Sequence, residues 1–298
     1  MSEWQGVKER TAQAFRQEPL WDLLGVQPGR EFRADLHAHT TLSDGSDSFL
    51  ELMGKARVRG VTHLAVTNHD TTVGLDAIRQ QAAEHGFSVV CGVEISAWDS
   101  TAKRRVHHLV GLGMPADAPA VCDLCSDTLE RRTANTAWQM RQLLDAGYDV
   151  DVEYAAQLAG QSTGFYKQHL MAALTDADFS SAEYQFLYKT LFKGGGIAQR
   201  DIEYVDMCDA VAAIAADGGL PVLAHPGQFD NYEALPALVD AGLVGIEKYH
   251  PDHDYRDTQL CEEFAARYSL FCTGGSDYHG RFGKVPYPGY RFIVDQAF

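Results

Sequence analysis

Histidine is repeatedly combined with aspartate or glutamate in short motifs along this 298-residue chain. The motifs are Asp-Leu-His-Ala-His at 35–39, Ser-Asp-Gly at 43–45, Asn-His-Asp at 68–70, Gly-Val-Glu at 92–94, His-His at 107–108, Ala-His-Pro at 224–226 and Gly-Ser-Asp-Tyr-His-Gly at 275–280. Imidazole and carboxylate groups bind divalent transition metals, and His37 and His39 share one strand face because alternate strand residues point the same way. No cysteine belongs to the motifs, and the many histidines disfavour Mg²⁺ or Ca²⁺ alone. The motifs therefore predict a site for Mn²⁺, Zn²⁺ or Fe²⁺.

Short apolar runs with the composition of β-strands carry these candidate ligands. Seven such runs stand at 32–37, 62–67, 88–93, 106–112, 220–224, 243–248 and 269–274, and helical patterns separate most of them. Strands that alternate with helices predict parallel pairing, and the absence of a second sheet predicts a closed or nearly closed α/β barrel. The C-terminal ends of parallel barrel strands converge on one face, so we expect the imidazole and carboxylate groups to meet there.

One long interval interrupts this alternation. Between Gly113 and Gly219 no run has good strand character, and helical segments are predicted at 121–146, 152–158, 166–174 and 181–192. We interpret residues 114–219 as a helical insertion that caps one end of the barrel, where it can exclude water and hold the non-reacting part of a substrate. The barrel is then expected to comprise 31–113 and 220–298, preceded by an amphipathic helical extension over 1–30.

Charge and hydropathy limit the partners of the protein. A formal net charge of −16 argues against binding to duplex nucleic acid, which depends on Lys and Arg neutralising phosphates, but it allows a small phosphorylated metabolite. The sequence contains no run of about 18 apolar residues, so no membrane span is predicted. The first residues lack the apolar core of a signal peptide. We therefore expect a cytoplasmic protein without membrane contact. A single CxxC at Cys122 and Cys125 is interpreted as two small residues on a helix.

At the His- and Asp-containing motifs the sequence resembles the PHP (polymerase and histidinol phosphatase) family. The resemblance covers residues 33–295 and rests on the motifs at 35–40, 43–45, 69–70, 92–94, 225–226 and 276–280. It implies a distorted (β/α)7 barrel, which is TIM-like, and metal-dependent phosphoesterase activity. One departure is Asn68, because the family commonly has Asp at this position beside the histidine.

The resemblance also implies how the ligands are divided among the ions. The first ion would be bound by His37, His39, Glu94 and Asp277, the second by Asp44, His69 and His279, and the third by His108 and His225 with Glu94 bridging. Glu94 can bridge because a carboxylate has two oxygens to share. We choose His108 over His107 because neighbours on a regular strand point to opposite faces. At least nine candidate ligands predict two to three divalent ions, with Mn²⁺ expected first and Zn²⁺ or Fe²⁺ as alternatives.

The expected reaction is phosphomonoester hydrolysis. Within the family the chain is most similar to stand-alone phosphoesterases of nucleoside 3′,5′-bisphosphates and mononucleotides, on the motifs at 108–113, 169–174 and 222–227. We expect a metal-activated water to attack the phosphate of a small nucleotide in line with the leaving group. Alternatives are a 5′-3′ exonuclease on short oligoribonucleotides, a histidinol-phosphate-type phosphatase and a non-catalytic metal-binding module.

Groups outside the ligand set should contact the substrate. From the cap, Arg132 or its neighbour Arg131 is expected to bind phosphate oxygens through its guanidinium, and His169 is a second candidate. From the barrel, His253 is expected to be a phosphate ligand or the acid that protonates the leaving group. Asp44 and His279 are expected to take part in catalysis together with His253.

Overall fold

The computed structural model of the protein describes residues 17–26, 31–101 and 106–294. Within these ranges the strands are β1 Arg33–Asp35, β2 His63–Val66, β3 Ser88–Trp98, β4 Val106–Leu112, β5 Val205–Asp206, β6 Leu220–Leu223, β7 Gly245–Tyr249, β8 Phe271–Gly274 and β9 Ile293–Val294. Each of the seven predicted runs overlaps one of them, and β3 and β7 extend beyond the predicted ends. The two-residue strands β5 and β9 are additions that the apolar pattern does not predict.

The α-helices of the described residues are named in chain order. They are α1 Glu18–Leu24, α2 Phe49–Val58, α3 Leu75–Glu84, α4 Pro119–Asp145, α5 Val152–Gly160, α6 Lys167–Ala172, α7 Ala182–Phe192, α8 Met207–Ala216, α9 Pro226–Phe229, α10 Leu235–Asp240 and α11 Tyr255–Tyr268. Of the predicted extension over 1–30, α1 is described, whereas residues 1–16 and 27–30 lie outside the described residues. None of the helices in the described ranges combines the length and the apolarity needed to cross a membrane.

The strands form one sheet that curls into a nearly closed barrel. Its order is β8-β7-β6-β4-β3-β2-β1-β9, and β5 pairs with β3 outside this path. The segment that follows β1 meets the end of β8, because the Leu36 amide donates to the Gly274 carbonyl at 3.0 Å. Ala38 and Tyr278 add a parallel bridge at the same seam. The predicted TIM-like α/β barrel is thereby confirmed.

Strand β4 runs antiparallel to both of its neighbours, so the expectation of parallel pairing is wrong at this position. Glu94 on β3 pairs with Val110 on β4 in an antiparallel register. The connection at 99–105 is shorter than the dozen or more residues that a parallel crossover needs, and the chain therefore turns back directly. As a result the start of β4, not its end, lies at the face where the parallel strands end. This brings His108 to that face.

Three apolar clusters hold the molecule together. Inside the barrel, buried side chains from the strands pack with those of α1; among them are Leu20, Leu24, Leu36, Val90, Val110, Val222 and Phe271. A second cluster lies between the strands and the outer helices, and Met207, Ala210 and Ile214 of α8 belong to it. The third cluster is built from the helices of the predicted cap, including Leu143, Phe165, Leu170, Tyr184 and Phe192. Helix α8, although within 114–219, therefore packs with the barrel layer.

The direction of β4 determines the path of the predicted insertion. Because β4 ends on the face away from the ligands, the chain must return along the barrel to reach them. Helix α4 makes this return with 27 residues, about 40 Å at 1.5 Å per residue. Its first turn is tied to the C-terminus of α8, since the Val121 amide donates to Asp217 at 2.8 Å. The two ends of the excursion are cross-strand partners, because Leu112 pairs with Leu220.

Candidate metal centre

The candidate ligands come from the ends of barrel strands that meet on one face. His37 and His39 follow β1, His69 follows β2, Glu94 lies on β3, His108 lies on β4, His225 follows β6, and Asp277 and His279 follow β8. Two of these backbones are in the left-handed region, with φ of 26° at His225 and 51° at Asp277. Such conformations are unfavourable for non-glycine residues and cluster at functional sites. Gly275 permits a close approach there, since a Cβ on it would lie 2.3 Å from the Cβ of His37.

Glu94 stands at the centre of the cluster and uses its two oxygens on different sides. Its Oε2 lies 3.1 Å from Nε2 of His37 and 3.1 Å from Nε2 of His39. Its Oε1 lies 2.8 Å from Nδ1 of His108 and 2.9 Å from Nε2 of His225. Each oxygen of Glu94 thus faces a different pair of imidazoles, and the bridging of two cations by this carboxylate stays a prediction.

Two aspartates complete the cluster on either side of the histidines. Asp44 Oδ2 lies 3.3 Å from Nε2 of His279, and Asp44 Oδ1 lies 3.6 Å from Nδ1 of His39. Asp277 Oδ1 lies 3.3 Å from Nε2 of His39 and 3.5 Å from Nε2 of His37. Each aspartate is therefore close enough to two imidazoles to share an ion with them.

Three overlapping groups of ligand atoms lie close enough together to hold an ion. They are His37, His39, Glu94 and Asp277; His39, Asp44, His69 and His279; and His69, Glu94 and His108. The first group is the predicted first set, and the second is the predicted second set with His39 added. The third differs from the predicted set by containing His69 in place of His225. The structure thus brings all nine predicted ligands together, and their assignment to particular ions stays a prediction.

The donor set fits divalent cations. Although buried, His37 Nε2, both ring nitrogens of His39, His69 Nδ1 and Glu94 Oε2 have no hydrogen-bond partner among the described residues. Buried polar atoms in folded proteins are nearly always paired, so this set of buried ring nitrogens and carboxylate oxygens fits the binding of a cation between them. Nitrogen and oxygen donors without thiolates suit first-row transition metals.

The carboxylates of the cluster are held in their ionised form. Burial on its own would raise the pKa of Glu94, but the positive charge of His37 outweighs burial and holds that pKa well below its usual range. The pKa of Asp44 is likewise far below normal, because the positive charge of His279 outweighs the effect of burial. Ionised carboxylates are the form that binds cations.

The pKa values of two histidines of the cluster are shifted in opposite directions. For His279, burial lowers the pKa, yet Asp44 and Asp277 raise it to about 10. For His69, burial prevails over the attraction of Glu94 and lowers the pKa to about 4. At neutral pH His69 therefore presents a free lone pair, whereas a cation has to displace a proton from His279.

Residues behind the ligands hold them in place by hydrogen bonds. The spacing of the sequence motifs does not predict which residues do this. Glu247 on β7 accepts from Nδ1 of His37 at 3.2 Å and from the backbone amide of His225 at 2.8 Å. Because Glu247 only accepts, the Nδ1 of His37 carries the proton and its Nε2 is left free to bind a cation. His250 Nε2 lies 3.4 Å from Asp277 Oδ2. Both residues stand at the predicted sixth run, without an assigned role.

The predicted cap is hydrogen-bonded to the loops that carry ligands. The Gln168 amide donates to Asp44 Oδ2 at 2.6 Å, and the Ser162 hydroxyl donates to the Ser43 carbonyl at 2.7 Å. The Tyr166 hydroxyl donates to the backbone carbonyl of His69 at 3.0 Å. Gln168 was not among the candidate residues, because a lone glutamine on a short helix has no recognisable pattern.

Arg132 faces the ligand cluster but is already engaged. Its guanidinium donates to Asp70 Oδ2 at 2.6 Å and to the Ser96 hydroxyl at 2.9 Å. Its Nε has no partner among the described residues. Arg131 points away and donates to the Glu203 carbonyl at 2.9 Å. Of the two predicted arginines, Arg132 is therefore the one at the site, and part of its hydrogen-bonding capacity holds Asp70.

Two histidines predicted to contact the substrate lie behind the site. The ring of His253 is saturated, because Nε2 accepts from the Gly227 amide at 3.0 Å and Nδ1 donates to the Lys248 carbonyl at 2.9 Å. His169 is buried against the rings of Phe165 and Phe282. The structure does not bring either imidazole to the wall of the cavity, since tertiary packing decides where these side chains point.

A cavity of about 470 Å³ lies between the ligand cluster and the predicted cap. Its barrel wall includes Asp44, His69, Glu94 and His279. Its cap wall is mixed polar and aromatic and includes Gln139, Lys167, Tyr184, Gln185 and Tyr188. A cavity of this size accommodates a small molecule, not a folded polymer.

The model of the PHP domain family matches residues 35–195, which is more than half of the chain. The chain belongs to the PHP family. A phosphoribosyl 1,2-cyclic phosphate 1,2-diphosphodiesterase of Eggerthella lenta is 56% identical to this PHP protein, covering 86% of this chain and 98% of the relative. A 3′,5′-nucleoside bisphosphate phosphatase of Chromobacterium violaceum is 30% identical, with coverage of 82% and 86%. A 5′-3′ exoribonuclease of Haemophilus influenzae is also 30% identical, with coverage of 88% and 96%.

The solved structures give the same result for the fold. An amidohydrolase from Chromobacterium violaceum, solved with bound sulfate, has a TM-score of 0.75 and 27% identity, covering 86% of this chain and 90% of its own. With the family and these relatives, the protein is a metal-dependent phosphoesterase, and the predicted enzyme class is confirmed.

Proposed function

We propose that this PHP protein hydrolyses a 1,2-cyclic phosphate diester on a phosphorylated ribose. The observation that carries the proposal is the 56% identity, over 98% of its length, to a relative named for that substrate. Addition of water across one P–O bond opens the cyclic diester and leaves a phosphomonoester. This proposal replaces the nucleotide monoester as the first substrate, while the expected chemistry, attack of water on phosphorus, is unchanged.

The residues of the candidate metal centre would hold two to three divalent ions, with Mn²⁺ expected first and Zn²⁺ or Fe²⁺ as alternatives. Such ions supply positive charge to phosphate oxygens and make water a stronger nucleophile. Asp44 lines the cavity beside His279, where its ionised carboxylate can accept a hydrogen bond from the attacking water and orient it. Gln168 and Ser162 of the predicted cap are hydrogen-bonded to Asp44 and to the Ser43 carbonyl, so the cap would hold the substrate against the metal centre.

A nucleoside 3′,5′-bisphosphate is the second candidate substrate. It is favoured by the 30% identical phosphatase of that name and by Tyr184 and Tyr188, whose rings line the cavity and offer a stacking surface. The exonuclease alternative has a relative of that name as well. A net charge of −16 and the small cavity support a short substrate in every case.

The experiment is a substrate comparison by phosphorus NMR with the Mn²⁺-loaded protein. Phosphoribosyl 1,2-cyclic phosphate, adenosine 3′,5′-bisphosphate and a short oligoribonucleotide are incubated separately, and kcat/KM is determined for each. We expect the cyclic phosphate to be opened with the highest kcat/KM. A tenfold preference for the bisphosphate or the oligoribonucleotide would overturn the proposal and select the corresponding alternative.

A further inference from the structure

Lys167 is a cation on the cap wall of the cavity that forms no ion pair with a carboxylate of the described residues. The other Lys and Arg side chains that line the cavity are paired, Arg132 with Asp70 and Lys284 with Asp252. Among the ion pairs of the described residues none includes Lys167. Its ammonium lies over aromatic rings instead, 5.9 Å from the ring centre of Tyr188.

The surroundings of Lys167 are unfavourable for an isolated positive charge. Burial lowers its pKa from 10.5 to about 8, and the like charges of Lys193 and Arg132 add to this effect. Asp201 acts in the opposite direction but has no carboxylate oxygen within the 4.0 Å of an ion pair. A partly buried ammonium that faces a cavity among like charges is stabilised when an anion binds beside it.

Unpaired polar atoms lie on the same wall. The side-chain amide of Gln139 donates to the Ala198 carbonyl at 2.9 Å, yet its Oε1 is buried without a partner among the described residues. The Nε of Arg132 is unpaired as well. A buried acceptor and a buried donor at the edge of a cavity are suited to hydroxyl groups of a bound molecule, because unmet hydrogen bonds are unfavourable.

We propose that Lys167 binds a second phosphate group of the substrate, distinct from the one at the metal centre, and that Gln139 accepts a hydrogen bond from a sugar hydroxyl. This inference rests on the proposed function, since a phosphorylated ribose carries such a phosphate in addition to the cyclic diester. Lys167 is then a specificity-determining residue: it selects sugar phosphates over sugars that lack the second phosphate.

The test compares two substrates in Lys167→Met, which keeps an apolar stem against the rings and removes the charge. Lys189→Met, on the exposed side of α7, is the matched control. With phosphoribosyl 1,2-cyclic phosphate, kcat/KM should fall about 10- to 100-fold in Lys167→Met, as for loss of a charged hydrogen bond. With ribose 1,2-cyclic phosphate it should stay within about twofold of wild type. Equal losses on both substrates, or no loss on either, would overturn the inference.

Hydrolysis of bis(4-nitrophenyl) phosphate separates this inference from the proposed function. If the wild-type protein hydrolyses this diester but neither cyclic phosphate, the proposed function fails. Ribose 5-phosphate is then used as an inhibitor of the same assay, with D-ribose beside it. An inhibition constant at least tenfold weaker in Lys167→Met than in wild type, with little effect of D-ribose, supports Lys167 as the phosphate site. Equal inhibition of both proteins overturns it.

Discussion

The amide of Gln168 on α6 donates a 2.6 Å hydrogen bond to Oδ2 of Asp44, a candidate ligand of the metal centre. A residue outside the barrel therefore orients a ligand inside it. Residues that hold metal ligands by hydrogen bonds typically change metal affinity by about 10- to 100-fold when they are replaced.

Gln168→Ala should therefore weaken Mn²⁺ binding by about tenfold, because Asp44 loses the donor that fixes its oxygen. The measurement is competition with a metal-chelating dye. Gln161→Ala, an exposed glutamine that follows α5, is the control and should bind Mn²⁺ like wild type. Unchanged affinity in Gln168→Ala would show that the cap does not support the metal centre.

Glu247→Gln should lower metal affinity by about 10- to 100-fold without unfolding the protein. Glu247 accepts from both His37 and the His225 amide, so a glutamine NH₂ would face one of these donors. The change should appear in the absorption spectrum of the Co²⁺-substituted protein and in metal titrations. Glu262→Gln, at the partly exposed ion pair with Lys248, is the matched control. Identical titrations of Glu247→Gln and Glu262→Gln would contradict this role.

Arg132→Met should destabilise the fold by about 3–5 kcal/mol, since it leaves the buried carboxylate of Asp70 without its partner. Urea unfolding measures the change. The double substitution Asp70→Asn with Arg132→Met should recover part of it, because no buried charge is left unpaired. Arg131→Met serves as control, with a loss below about 1 kcal/mol at an exposed pair. Equal stability of the two single arginine variants would show that the Arg132–Asp70 pair does not support the fold.

Removal of metal should abolish hydrolysis and lower thermal stability. A cation that binds only the folded state stabilises it by about 2.7 kcal/mol at a free concentration 100 times its Kd. Chelation should therefore lower Tm, and added Mn²⁺ should restore both Tm and activity. Full turnover by protein shown to be metal-free would exclude the assignment of the cluster as a metal centre.

The preference for a second phosphate should depend on pH. The pKa of Lys167 is lowered to about 8, so its positive charge is present below pH 8 and lost as the pH rises through that value. The ratio of kcat/KM for the phosphorylated over the unphosphorylated cyclic sugar should fall across this range. Lys193 and Arg132 lower the pKa of Lys167, and Asp201 raises it. The control is a replacement of Lys193, because this residue is exposed. A ratio that falls equally in Lys167→Met would assign the effect to another group.

The ligand set could be predicted because each ligand residue belongs to a short sequence motif. The spacing of His37 and His39 puts both on one strand face. The glycines before Asp277 indicate that the backbone can come close to the metal centre at this point. The direction of β4 could not be inferred from its apolar composition, which is the same for a parallel and an antiparallel strand. The short connection at 99–105 was the one available signal.

The substrate contacts could not be predicted, because they depend on tertiary hydrogen bonds. His253 has the chemistry of an acid, but the Gly227 amide and the Lys248 carbonyl use both of its nitrogens. Lys167 and Gln168 begin a six-residue helix, and both residue types are common on the solvated side of any helix. Their importance comes from the cavity and the carboxylate beside them, and both are set by residues far away in the chain.

The pairing of Leu112 with Leu220 has a consequence for how the substrate specificity of such a protein could be changed. The whole excursion between them leaves and re-enters the sheet at adjacent positions, so a foreign segment could be joined at two neighbouring junctions if it also supplied replacements for β5 and α8, which pack with the barrel. A chimaera built this way would inherit a new specificity wall while keeping the ligand-bearing strands of its host. The inserted segment must, however, provide a hydrogen-bond donor at the position of Gln168. Without it, Asp44 would lose its partner and the metal centre would bind its ion more weakly.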